Sequence, residues 1–286
     1  MRPLKRLTAY KFGVIIGGIL MWVAAGLAAD PGPLPARDWN LHTLKRIKVP
    51  AGPSLTFAVL GDNRSNPEVF TQVLKHMDQD PGLAFAIDVG DLVESGSRET
   101  FSRFLTLVRQ HLRLPLLTAI GNHDLDRQRR DTLYRRIFGP DYYAFHFKDN
   151  YFIVVNDVSP AGIGPRQWRW LEANLKKSQA YRTRLVFLHT PLFDPRGGEH
   201  HHCLPEELGR KLLALFRQYH VTHIFAGHIH SYFSGKWDGV PYTISGGAGA
   251  PLYGTDPAHF FHHYLKVTLK EGKVHIEVRR LAAPGR

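Results

Sequence analysis

The apolar positions of this chain fall into two patterns that take turns along most of its length. Short, almost unbroken apolar runs occupy 55–60, 84–89, 114–120, 151–155, 185–188, 223–226 and 242–244. Runs of that length and composition are expected of strands buried on both faces. Between them, apolar residues recur at helical spacing. Asn66-Pro67 pairs a good helix cap with a proline at the first helical position, and the helix they open places Val69, Val73 and Met77 on one face. A second helix starts near Pro165 with Trp168, Leu171 and Leu175; a third covers 205–219 with Leu208, Leu212, Leu215 and Phe216. Stripes of this kind face a core. The chain closes with "HYLKVTLKEGKVHIEVRRL", which alternates on both sides of Glu271-Gly272 as a hairpin does.

Strands alternating with helices predict an α/β fold, here layered sheets flanked by helices over residues 54–286. No internal repeat or low-complexity segment interrupts it. Residues 30–53 hold five prolines and little periodicity, which predicts a linker or an N-terminal wrap. Ahead of them, Arg2, Lys5, Arg6 and Lys11 precede an uncharged apolar run from Phe12 to Ala29. That order predicts an export signal, with a small-x-small pattern at Gly26-Leu27-Ala28, or a helix that stays in the bilayer as an N-terminal anchor. The expected location is the periplasm or the extracellular space, with membrane association through residues 12–29 if the segment is kept.

Composition narrows the classes without choosing one. With 286 residues, 43% of them hydrophobic, the chain supports one large core and is not a disordered polymer. Without the four N-terminal cations the formal charge falls from +12 to +8, still basic. This fits attraction to anionic substrates or surfaces and specifies no nucleic-acid partner. Cys203 is the only cysteine, so the exported domain forms no internal disulfide. No Ser-His-Asp elbow and no phosphate-cradling P-loop is present, which disfavours acyl-transfer and nucleoside-triphosphate hydrolases.

The chemistry sits at the strand ends, where α/β sheets gather their ligands. Successive strands are followed by Gly61-Asp62-Asn63, Gly90-Asp91, Gly121-Asn122-His123-Asp124, His189-Thr190-Pro191 and Gly227-His228-Ile229-His230. Imidazole together with carboxylate suits divalent Mn, Fe, Zn or Co. Six good ligands exceed one four-coordinate site, which points to two metal ions. A carboxylate can bridge such a pair, and ions about 3.5–4 Å apart clamp the attacking and leaving oxygens of a phosphoryl transfer.

"GDN", "GDLVESG", "GNHD", "FLHTP" and "GHIH", in this order, resemble the calcineurin-like metallophosphoesterase superfamily, which includes purple acid phosphatases, diesterases and protein phosphatases. The resemblance spans Asp62 to His230, and "YTISGGAGAPLYG" looks like the superfamily's later sheet. It implies an α/β/β/α sandwich with Asp91 as bridging carboxylate. Asn122, His189 and His228 would complete one metal, while Asp62 and His230 would hold the other. His123 would stand beside the metals and protonate the leaving oxygen or steady the phosphoryl charge, with Asp124 orienting its ring. Metal-bound hydroxide would attack a phosphate monoester or diester. A diesterase acting on a lipid headgroup or cyclic nucleotide, and a non-catalytic metal-binding scaffold, are the alternatives.

One position departs from the resemblance. Many members carry Asp-x-His in the first motif, and this chain has Arg64, which offers no lone pair. Water fills the gap, or another residue substitutes, or the site holds one metal. Purple acid phosphatases, which lack that histidine, use a tyrosine three residues after the bridging aspartate; here that offset falls on Glu94. Arg64 would then be free to bind substrate phosphate through a forked hydrogen bond. The loop Arg196–Cys203, with His200, His201 and His202, and the histidines His259, His262 and His263 have no assigned task.

Overall fold

The computed structural model describes residues 33–159, 162–197 and 201–281. The N-terminal segment expected to direct export, and His200 of the histidine-rich loop, lie outside the described residues. Among those described, no helix is long and apolar enough to cross a membrane.

In chain order the elements are α1 (Trp39–Arg46), β1 (Leu55–Leu60), α2 (Pro67–Gln79), β2 (Ala86–Asp88), α3 (Arg98–His111), β3 (Leu116–Thr118) and α4 (Thr132–Phe138). The second half adds β4 (Tyr143–Phe147), β5 (Asn150–Val154), α5 (Pro165–Lys177), β6 (Thr183–Phe187), α6 (Glu206–Gln218) and β7 (His223–Ala226). It closes with β8 (Tyr232–Trp237), β9 (Val240–Ser245), β10 (His263–Lys270) and β11 (Lys273–Arg280). They form two sheets. One has the order β11-β10-β1-β2-β3, the other β4-β5-β6-β7-β9-β8. Strands β1, β2 and β3 run parallel, as do β5, β6, β7 and β9, with antiparallel pairs closing the edges.

Strand alternation divides the core into three layers. Leu55, Phe57 and Val59 of β1 point between the sheets, while Ala58 and Leu60 point to the helices of the first half. The intersheet layer is built on aromatic rings: Phe57 stacks on Phe85 at 5.1 Å, Phe187 on Phe225 at 5.1 Å, and Phe57 meets Phe152 edge-on at 5.5 Å. Helices α2, α3 and α4 cover one outer face, and α5 and α6 cover the other. The molecule is the layered α/β/β/α sandwich expected.

Several elements differ from the apolar pattern in ways that have physical causes. Helix α3 was absent from it, although Phe101, Phe104, Leu105 and Val108 follow helical spacing and Ser97 and Thr100 form a capping box. On α2 the buried stripe is Phe70, Val73, Leu74 and Met77, with Val69 at its margin. From residue 34 the expected linker or wrap carries α1: Trp39 Nε1 donates to Leu116 O, and Asn40 is hydrogen-bonded to Thr118. Strands β2 and β3 are shorter than their apolar runs. Bonds from Ala84 N to Thr56 O and Val89 N to Leu60 O continue the pairing past both ends of β2.

Candidate metal centre

The parallel strands of both sheets end on one edge of the sandwich, and the residues that follow them converge there. Asp62 follows β1, Asp91 follows β2, and Asn122 and His123 lie in a short 3₁₀ turn after β3. The other sheet supplies His189 after β6 and His228 and His230 after β7. Asp62, Asp91 and His228 have φ of 58°, 58° and 67°. Side-chain-bearing residues pay about 1–3 kcal/mol for such conformations, which persist where the surroundings impose them. A side chain at Gly227 would come within 2.5 Å of Asp62 Oδ2, and one at Gly121 would run into the Asp91 backbone, so the glycines are spacing devices for the carboxylates.

At the first position four atoms able to bind a metal face one another. His189 Nε2 lies 3.1 Å from Asn122 Oδ1, 3.3 Å from Asp91 Oδ1 and 3.3 Å from His228 Nδ1. His189 Nδ1 must carry its proton, because its partner is the carbonyl of Val89 at 3.0 Å. The neutral ring therefore presents a bare lone pair to two oxygens and a nitrogen. Separations of this size are those of ligands about 2.1 Å from a shared ion. Without an ion the site must take up protons. Burial works against charging His189, yet the carboxylates of Asp91, Asp62 and Asp157 prevail and hold its pKa at about 9. His228, depressed by burial and by His189, titrates at about 3. Ligand atoms of Asp62, Asp91 and His189 lie within 4.8 Å of one another. These residues fit a divalent cation.

The second position is different. His230 gives its Nδ1 proton to Pro251 O at 2.8 Å, leaving Nε2 to face Asp62 Oδ1 at 3.5 Å. Asp62 Oδ2 accepts from His228 N at 2.8 Å, whereas the fully buried Oδ1 has no hydrogen-bond partner. Burial raises the Asp62 pKa to about 7, with Asp91 adding to it and His189 opposing. Into this place comes Arg64: Nε donates to Asp91 Oδ2 at 3.3 Å, Nη1 to Glu94 Oε2 at 3.0 Å, and Nη2 lies 3.5 Å from His230 Nε2. Glu94, expected as a substitute ligand, is instead the half-exposed partner of the guanidinium.

His123 and Asp124 separate. The His123 ring gives its Nδ1 proton to the Glu94 carbonyl at 2.9 Å and turns Nε2 toward the cavity, 4.0 Å from Asp91 Oδ2. Asp124 does not touch it. Its buried carboxylate accepts from the backbone N of Asp91, Gly121 and Val93, which locks the second and third strand-end loops together. The expected ring-orienting task thus belongs to a backbone carbonyl. The reason is geometric: the 3₁₀ turn places neighbouring side chains on different sides of the backbone.

Four contributors went unread in the sequence. Asp157, two residues beyond the 151–155 run, accepts from His189 N and Thr190 N at 2.8 and 2.7 Å and so positions the metal-facing loop. Its place at a strand end was the available signal. The carbonyls of Val89, Glu94 and Pro251 leave no trace in side-chain identity. Arg64, Asp91, Asn122, His123, His228 and His230 line a cavity of about 580 Å³ together with Arg196, His202, Tyr253 and Phe260. Arg196 is itself paired with Asp194 at 2.9 and 2.7 Å.

Similarity to known proteins agrees with this geometry. The calcineurin-like phosphoesterase family model matches residues 55–232. A phosphoenolpyruvate phosphatase from Allium cepa is 26% identical over 76% of this chain and 49% of its own length. An Fe(3+)-Zn(2+) purple acid phosphatase from Arabidopsis thaliana is 26% identical over 75% of the chain and 51% of its own. The chain thus spans about half the length of these curated relatives. In fold it is similar to a purple acid phosphatase from Lupinus luteus seeds, with a TM-score of 0.65, 17% identity, and coverage of 79% of this chain and 51% of that one. With the family model matching more than half its length, the chain belongs to the calcineurin-like phosphoesterase family.

Proposed function

We propose that the protein hydrolyses phosphate esters at this centre, with Asp91, Asn122, His189 and His228 holding a divalent cation. The observation that carries the reading is the convergence at the first position of Asn122 Oδ1, Asp91 Oδ1 and His228 Nδ1 within 3.1 to 3.3 Å of His189 Nε2, with His123 N the backbone donor to Asp91 Oδ1. A cation there supplies Lewis acidity and makes an attacking oxygen available near neutral pH. The chain's own residues do the rest. His123, fixed through Nδ1, has only Nε2 with which to pass a proton to the departing alcohol, and it does so when doubly protonated. Arg64 has five N–H groups, of which one on Nη2 stays free for a phosphate oxygen.

The substrate is a phosphate monoester or diester with an organic group large enough to use the cavity. Tyr253, 71% exposed on the rim, and Phe260 beside it offer flat apolar surface to a planar ring on that group. The test is turnover of aryl and alkyl monoesters and diesters by protein loaded with Mn, Fe, Zn or Co, before and after chelation. Metal-dependent turnover that chelation abolishes is expected; a fully loaded protein inert on every ester would defeat the reading. The N-terminal segment is read as directing export, and fractionation of cells expressing the full chain tests it.

A further inference from the structure

We infer that Arg64 takes the place of a second metal ion: its guanidinium fills the position between Asp62, Asp91 and His230, so that the chain binds one divalent cation. This rests on the functional reading above. Asp91 presents one oxygen to each half of the centre. Oδ1 faces His189 at 3.3 Å and accepts from His123 N, on the side of the first position, while Oδ2 receives Arg64 Nε at 3.3 Å. A carboxylate bridging through both its oxygens would put an ion on each, and here a guanidinium holds one side.

The imidazole lone pairs tell the same story. His230 Nε2, stripped of its proton by the bond from Nδ1 to Pro251, is the ligand atom this half would offer, and Arg64 Nη2 is the nearby donor. The arginine is held there from several directions. Its side chain is 11% exposed, and Asp91, Glu94 and Ser65 all accept from it. Arginine remains charged at any working pH, so a dication entering the same space would meet a fixed positive charge at contact range. The arginine also leaves Asp62 Oδ1 without a donor.

Elemental analysis of protein loaded with excess Mn and dialysed is the test, read beside its electron paramagnetic resonance spectrum. Wild type should hold one equivalent and give the spectrum of an isolated ion. Arg64→His, which exchanges the cation for a ligand, should hold two equivalents with a spin-coupled spectrum. Arg64→Ala guards against a histidine that fails to fold in place, and should gain a weaker second equivalent in titration. Two coupled ions in wild type would overturn the inference and leave the functional reading intact. A single ion in wild type and in both folded variants would also overturn it, since Arg64 would not be what excludes the second. Protein that binds no metal would defeat the functional reading itself.

Discussion

His189 and His263 are both fully buried, both give their Nδ1 proton to a backbone carbonyl, and they behave in opposite ways. The difference lies in what the second nitrogen meets. His263 Nε2 faces the hydroxyl of Ser245 at 3.1 Å, a partner that donates or accepts as required. Burial then wins, and its pKa falls to about 4. His189 Nε2 meets a carboxylate, an amide oxygen and another imidazole, and the nearby carboxylates overcome burial and raise its pKa to about 9. The neighbours of His263 repeat its pattern: His259 gives Nδ1 to Tyr232 O and stacks on Phe233, and His262 gives Nδ1 to Gly247 O. The carbonyl fixes the tautomer in both clusters. Only in one does the opposite nitrogen face atoms that need a cation.

Paired substitutions sharpen that contrast. The largest effect belongs to His189→Ala, expected to lose bound metal and activity together, well beyond the roughly 10–100-fold that loss of a supporting contact costs. His263→Ala should keep the metal and lose roughly 1–3 kcal/mol of stability by chemical denaturation. Metal loss from the second variant, or retention by the first, breaks the comparison. Next comes His123→Ala, with a fall of about 10²–10⁴ in kcat at unchanged metal content, measured by steady-state kinetics and elemental analysis.

The non-ligand histidines make a pH prediction. Burial also lowers His223 to about 4. For both, the folded value lies below the unfolded one near 6.5, so the unfolded chain binds more protons as pH falls. Their contribution to stability is full above about 6.5, is lost from there down to about 4, and levels off below. The ceiling is on the order of 3 kcal/mol for each. Denaturation midpoints at pH 7 and pH 5 in the metal-loaded protein check it, with His263→Ala giving the shallower dependence. The smallest effect is at the rim: Tyr253→Ala should raise KM for aryl esters roughly 2- to 10-fold and leave alkyl esters unchanged.

The strand-end residues were legible because each combines a chemistry-bearing side chain with a position the fold dictates. Asp62, Asp91, Asn122, His189, His228 and His230 all border the one cluster, since parallel strands of the two sheets end on one edge. Arg64 showed in the sequence that a ligand was missing. Its direction did not, because the partners that aim it are on loops 27 to 166 residues away. Asp124 was misread for a related cause: adjacency in sequence to His123 implied adjacency of side chains, which a 3₁₀ turn denies. Helix α3 carried its pattern openly. Ser102, Arg103 and Thr106, set between its apolar positions, shorten the apolar run without breaking the helical spacing.

The centre draws Asp62, Asp91 and Asn122 from one sheet and His189, His228 and His230 from the other. Beneath it the two sheets meet through edge-to-face aromatic contacts, Phe57 with Phe152, Phe187 and Phe225, which key one layer into the other. A cation held from both sides would act as a rivet at the rim of that interlocked layer. Relative creep of the sheets is then felt as a change in ligand geometry, and the rigidity of the whole sandwich becomes part of how finely the centre is tuned.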